Sequence, residues 1–272
     1  MDNEVLDDRA RKPATAARMY DYYLGGVHNF AADREAAEKI IAMQPTFPAI
    51  ARANRAFLRR AVRHLADAGV RQFLDLGSGM PTVGNVHEIA HEVAPESRVV
   101  YVDIDPVAVS ESIELLEGNA NATAVHGDMR DPDSVLGNAR LRELIDPSQP
   151  TAVLLVAVLH FVPDDTQAYG LVNHVVKSLS PGSYLALSHA SAEGFALASP
   201  QLASIKDVYE RQTATPGGTR TQAGVERFFA GTELIHPGIA WVTEWRPSPD
   251  DPKDFADDPR LSCIWAGVGK IA

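Results

Sequence analysis

The residues best suited to chemistry lie in LDLGSGMPTVGNVHEIAHE, residues 74–92, where two patterns overlap. In DLGSG, Gly77 and Gly79 would let the backbone turn tightly and approach a ligand where a Cβ would clash. Asp75 stands just before them and Ser78 between them. In HEIAH, His87 and His91 share one helical face with Glu88 beside them, the spacing of a zinc-peptidase motif. The zinc pattern has the poorer context. Its helix follows a glycine turn, and its apolar positions Val83, Val86, Ile89, Ala90 and Val93 must face a sheet, which leaves both histidines on the outer or flanking face. No GxxH extension or third-ligand motif follows, so no metal is expected.

The glycine pattern, by contrast, continues downstream. RVVYVD ends in Asp103, at 103 − 79 = 24 residues beyond Gly79, close to the separation of about 20 at which an acid reaches a ribose diol. HGDMRD sets Asp128 beside Met129, a carboxylate for an exocyclic amine and a thioether for a flat ring. Each residue alone reads as an ordinary strand-end turn; in this order they describe a nucleoside site. A dinucleotide fingerprint wants a third glycine where Thr82 stands, and Asp75 suits a ligand with a cationic amino-acid end. S-adenosylmethionine is therefore expected rather than NAD.

The elements that must position these residues follow from hydrophobic patterning. Apolar runs at 71–76, 98–103, 122–127, 151–158 and 183–190 read as parallel strands buried on both faces, with helices at 82–94, 106–117, 138–145 and 165–179 between them. That alternation specifies an α/β fold, a doubly wound, mostly parallel, seven-stranded, Rossmann-like sheet. Two further β-like runs, 238–245 and 261–270, should pair antiparallel at a sheet edge. Residues 1–69 read as a helical cap, with helices at 14–24, 31–43 and 48–67, ahead of a core at 70–272 that carries an insertion at about 191–231. Tyr20, Tyr22, Tyr23 and Phe30 cluster around Gly25 and Gly26, so residues 13–45 are expected to form a lid, with a permanently packed layer as the alternative.

Composition narrows the partners. A chain of 272 residues with 45% hydrophobic content can bury a sizeable core. A net charge of −11 argues against nucleic acid, whose phosphates are gripped by clustered Lys and Arg. The single cysteine, Cys263, excludes an internal disulfide, and no apolar run approaches a membrane span, so a soluble cytoplasmic protein is expected.

DLGSG, VYVDID, HGDMRD and VAVLHFVP resemble the successive cofactor motifs of class I S-adenosylmethionine-dependent methyltransferases, over roughly residues 70–190. Across nearly the whole chain, ARMYDYYLGGVHNFAADREAA, GMPTVGNVHEIA and ELIHPGIAWVTEWRP resemble an actinobacterial methyltransferase family long catalogued as a domain of unknown function. The resemblance implies that Asp75, Gly77, Ser78 and Gly79 line the methionine end and that Asp103 holds the ribose with Ile104 beneath the adenine. It also implies that Asp128 and Met129 cap the base and that Ala157 borders the cofactor.

Methyl transfer needs the acceptor held in line and water excluded, and a general base only if the acceptor arrives protonated. His160, Tyr20, Tyr23 and His28 are the candidates for that base; the alternative is that the aromatics only pack and His160 satisfies a strand-end carbonyl. No NPPY-type run follows the fourth strand, and Cys263 is expected to lie remote from any cytosine-attacking position, which leaves a small-molecule acceptor. A cofactor-bound regulator without turnover and an NAD-type oxidoreductase remain the other readings.

Overall fold

A computed structural model describes residues 13–82, 84–194, 199–213 and 216–272. The five apolar runs become parallel strands: β1 (Gln72–Leu76), β2 (Arg98–Asp103), β3 (Ala122–His126), β4 (Ala152–Val156) and β5 (Tyr184–Ala190). β1 lies between β2 and β4, so the chain winds outward in opposite directions from it, and a crevice opens at the carboxyl ends of these strands. β4 stops two residues short of the expected run because Ala157 turns to a left-handed φ of 55°.

The sheet is covered on both faces. Between the strands run α4 (Val86–Val93), α5 (Pro106–Leu115), α6 (Pro132–Leu136), α7 (Ala139–Leu144) and α8 (Asp165–Ser178). One apolar cluster joins α4 and the sheet to α3 (Phe47–Asp67), and a second joins the opposite face to α8. α4 begins at Val86, later than expected, because Asn85 and Glu88 form a reciprocal capping box there; Val83, assigned to its apolar stripe, lies outside the described residues.

The last part of the sheet departs from expectation. The run 238–245 gives only a two-residue β7 (Ala240–Trp241), which does pair antiparallel with β8 (Ile264–Ile271). The edge is instead β6 (Thr232–Leu234), and β8 lies inside, antiparallel between β5 and β6. The cause is Trp245. It is fully buried edge-on to Phe57 of α3 at 5.3 Å, and Arg60 of the same helix donates to the Trp245 and Val242 carbonyls, so the chain turns toward α3 after Trp241.

The first 69 residues divide between two bodies. α3 belongs to the sheet's own core, whereas α1 (Ala16–Tyr23) and α2 (Ala31–Met43) form a third cluster with Ile205 of α9 (Ser199–Gln212). α10 (Gln222–Glu226) completes the α-helices among the described residues, and no helix among those residues is long and apolar enough to cross a membrane.

Candidate active site

A cavity of about 770 Å³ occupies the crevice, roofed by α1 and α9 and floored by the ends of β1 to β4. This is the size and place at which an open α/β sheet takes a small ligand. At its floor, Gly77 has φ +76° and a Cβ there would lie 2.2 Å from Val158, so only glycine fits on both counts.

Asp75 is the last but one residue of β1, and its side chain has no hydrogen-bond partner among the described residues. Burial pushes its carboxyl up to about 7, an effect that the Arg55 cation opposes and Asp103 reinforces. Arg55, on α3, lines the same end, donates to the Gly84 carbonyl at 2.9 Å and has no carboxylate partner among the described residues. Nothing in the spacing of ARANRAFLRR singles Arg55 out from the other arginines of its helix; only packing brings it opposite Asp75.

Asp103 accepts from Gly79 N at 2.7 Å and from Asp105 N at 2.8 Å, so the carboxylate ties the glycine turn to the end of β2. A carboxylate has about four acceptor sites, which leaves room for a diol. Ile104 is 53% exposed at the cavity wall, an apolar shelf there. Asp128 and Met129 line the same end; Arg130 forks onto both Asp128 oxygens, at 2.9 and 2.7 Å, and holds its carboxyl below the usual range. Ser78 and Ala157 also line the cavity. Ala157 N donates to Ser188 Oγ at 2.9 Å, Ser188 Oγ to Asn54 Oδ1 at 2.6 Å, and Asn54 Nδ2 to the Tyr20 hydroxyl at 2.9 Å. The strained Ala157 turn is thus anchored through α3 to the roof.

The four base candidates separate. Tyr20 lines the cavity, but its hydroxyl proton is committed to the Ala51 carbonyl at 3.1 Å. Tyr23 shares one hydrogen bond, 3.3 Å long, with Tyr209 of α9. His28 is not among the cavity's lining residues; its Nδ1 faces Glu111 at 3.0 Å, so it is set aside as a base. His160 lines the cavity and neither ring nitrogen has a partner among the described residues. Cys263 corrects the expectation of a remote position, because it borders the cavity beside Ile264; burial pushes its thiol up to about 12, which removes it as a nucleophile near neutrality.

The HEIAH histidines are occupied elsewhere. His87 Nδ1 lies 2.8 Å from the Tyr101 hydroxyl and His91 Nε2 lies 2.8 Å from the Ser97 carbonyl. Glu88 accepts from the backbone N–H groups of Gly84 and Asn85 at 2.9 and 2.7 Å, so its carboxylate caps α4.

The family described as S-adenosyl methyltransferase matches residues 5–272. Among solved structures, a DUF574 family protein from Streptomyces avermitilis is 40% identical with a TM-score of 0.89, over 97% of this chain and 100% of that one. A Thermobifida fusca protein, provisionally described as a methyltransferase, is 39% identical with a TM-score of 0.87, over 98% of both chains. An O-methyltransferase family protein from Burkholderia thailandensis, 14% identical with a TM-score of 0.52 over 98% of this chain and 67% of that one, shares the fold. No curated protein matches the chain.

Proposed function

The chain belongs to the S-adenosyl methyltransferase family, and from that premise we propose that it transfers a methyl group from S-adenosylmethionine to a small-molecule acceptor enclosed in the crevice. The observation that carries this reading is the placing of Asp75 and Arg55, neither of which has an ion-pair partner among the described residues, around a turn whose glycine a Cβ would block. A zwitterionic amino-acid end fits that pair: the Asp75 carboxylate takes its ammonium and the Arg55 guanidinium its carboxylate. Asp103 takes the ribose hydroxyls, Ile104 supports the adenine face, and Asp128 and Met129 border its edge.

When bound, the cofactor supplies an electrophilic methyl on a sulfonium. The chain's own residues do the rest. Gly77 and Gly79 let the backbone come close, Asp75 and Arg55 fix the amino-acid end, and the roof of Tyr20, Tyr23 and Tyr209 excludes water and orients the acceptor. A cavity with four acids at its cofactor end, in a chain of net charge −11, suits a small acceptor better than a polyanion.

Calorimetry with S-adenosylmethionine, S-adenosylhomocysteine and NAD on the full chain tests the reading. Micromolar binding of the first two, lost together in Arg55→Ala and Asp75→Asn, is expected. Binding of NAD alone, or affinity unchanged in both variants, would sink it.

A further inference from the structure

The half of the cavity beyond the cofactor end is walled by a continuous run of rings. His160 meets Phe161 edge-on at 4.3 Å, and Phe161 lies 5.9 Å from Tyr209. The Tyr209 and Tyr23 hydroxyls touch at 3.3 Å, and Tyr23 lies 5.2 Å from Phe47. All five line the cavity, although they come from α1, α3, α9 and the loop after β4. A wall of this length presents ring faces and edges to a flat apolar body.

Charge is sparse there. The acids of the lining, Asp75, Asp103, Asp105 and Asp128, all stand at the ends of β1, β2 and β3 or just beyond them. Lys206, the lining residue of α9 that is a cation, is paired with Glu210 at 3.5 Å and is more than half exposed. A charged acceptor would leave water for a wall with no opposite charge to receive it, which costs several kcal/mol. An uncharged one avoids that cost.

Two polar features remain unsatisfied. The Tyr23–Tyr209 pair has two hydroxyl protons and one mutual hydrogen bond, so one O–H is left to donate. His160 Nδ1 is buried without a partner, while Nε2 is unpartnered and reaches the cavity. The loop that holds His160 is pinned from beneath by Arg220, which donates to the Val162 carbonyl at 3.0 Å and to His189 Nε2 at 2.7 Å. His189 in turn sets its Nδ1 on the Ala190 carbonyl at 2.7 Å, so its ring is a neutral relay between Arg220 and the cavity floor. Burial, with His189 and Arg220 adding to it, pushes the His160 imidazole down to about 3. The ring is therefore a neutral hydrogen-bond acceptor, and the same positive field favours negative charge on an oxygen placed against it.

We propose that the acceptor is an uncharged, flat hydroxyaromatic compound that lies along the His160–Phe161–Tyr209–Tyr23–Phe47 wall, donates its hydroxyl to His160 Nε2 and is methylated on that oxygen. The inference rests on the methyltransferase reading above. The phenolic oxygen forms the new O–CH3 bond as the carbon–sulfur bond of the donor breaks, and that bond's electron pair stays on sulfur, which becomes a neutral thioether. The phenolic proton passes to His160 Nε2 and leaves to solvent with the product. His160 is a weak base, but the proton it receives grows acidic as the oxygen is alkylated, so the transfer becomes favourable as the new bond forms. The spare hydroxyl of the tyrosine pair offers a donor to a second oxygen on the same ring system.

The test uses the full chain with naphthol, hydroxynaphthoquinone, naphthylmethylammonium and naphthoate as matched probes. Each is titrated into the S-adenosylhomocysteine complex and then offered tritiated S-adenosylmethionine. Naphthol and hydroxynaphthoquinone are expected to bind and to carry label on oxygen, with the two ions binding at least about tenfold more weakly and remaining unlabelled. His160→Gln should lower kcat for naphthol about a hundredfold or more, with KM and S-adenosylhomocysteine affinity within about threefold, and imidazole should restore part of the loss to His160→Gly. Replacing both Tyr23 and Tyr209 by Phe should raise KM for hydroxynaphthoquinone more than that for naphthol, because both hydroxyls of the pair are then gone. Label on the ammonium or carboxylate probe instead of naphthol, no binding of either hydroxyaromatic, or undiminished kcat in His160→Gln overturns the inference while the cofactor reading stands. Failure of S-adenosylhomocysteine to bind overturns both.

Discussion

Asp75 carries a carboxylate that burial holds protonated to about pH 7 in the free protein, and two measurable consequences follow from that one group. The folded-state value lies above the ordinary 3.8. The stability contributed by its proton is therefore complete below about pH 4 and is lost as pH rises through about 7. Asp75→Asn should match the wild type near pH 4 and exceed it by about 2–4 kcal/mol above pH 8, read as a rise in the unfolding midpoint. Cofactor affinity should move the other way. The ammonium needs the ionised acid, so the wild-type association constant should fall about tenfold per pH unit below 7, and the variant should lose about ten- to a hundredfold at pH 8. A calorimetric titration with the same affinity at pH 5.5 and pH 8 would remove Asp75 from the site. Asp103→Ala removes the proposed ribose acceptor and the acceptor of Gly79 N–H together; it should weaken S-adenosylhomocysteine by at least tenfold.

At the scale of elements, the roof is bolted to the end of β2 by one buried arginine. Arg18 of α1 is 2% exposed, with Nε on Asp33 of α2 at 2.8 Å and Nη1 on Asp105 at 3.0 Å. Thr15, the cap of α1, donates to the same Asp105 oxygen at 2.8 Å. Asp105 also caps α5 two residues after Asp103, so the roof and the loop from β2 to α5 share a carboxylate. Arg18→Ala strands two buried acids and should cost about 3–5 kcal/mol in chemical denaturation, with weaker S-adenosylhomocysteine binding; unchanged stability would mean that the roof is held by its apolar contacts alone. The turn between α1 and α2 is not the loose pair of glycines that its sequence suggests. A Cβ on Gly26 would meet Asp21 at 2.0 Å, and Asn29 donates to both Asp21 and the Gly26 carbonyl, so the turn is tied back onto α1. On α4, both histidines of HEIAH have protein partners and its glutamate caps the helix. Protein purified without a metal-binding tag should therefore contain no stoichiometric zinc by elemental analysis; one zinc per chain, lost in His87→Ala, would reverse that.

For the whole molecule, three apolar clusters matter more than the division of the chain at residue 69. Two lie on the faces of the sheet, and the third, α1 and α2 with α9, stands over the cavity with aromatic rings on its inner side. We expect this third body to act as the lid, with its apolar core moving as a unit over the crevice. In hydrogen exchange, amides from Tyr20 to Phe30 and from Ile205 to Gln212 should slow together when S-adenosylhomocysteine binds. Equal protection with and without it would make the roof a fixed layer.

The alternation of buried strands and helices determined by itself the parallel half of the sheet, because strands covered on both faces must be continuously apolar. The placing of Gly77, Asp75, Asp103 and Asp128 was equally legible: all four fall at or just beyond strand ends and line one cavity. What only the tertiary structure decided is who faces whom. Arg55 opposes Asp75 and Tyr209 meets Tyr23 across 186 residues of sequence, and neither pairing leaves a local pattern. β6 took the sheet edge from the run 238–245 because burying Trp245 against Phe57 outweighs a few more ladder hydrogen bonds, a choice that depends on where α3 lies. His28 left the site, and Cys263 joined its lining, for the same reason: spacing along a chain fixes the face of an element, whereas the neighbour across that face is set by packing.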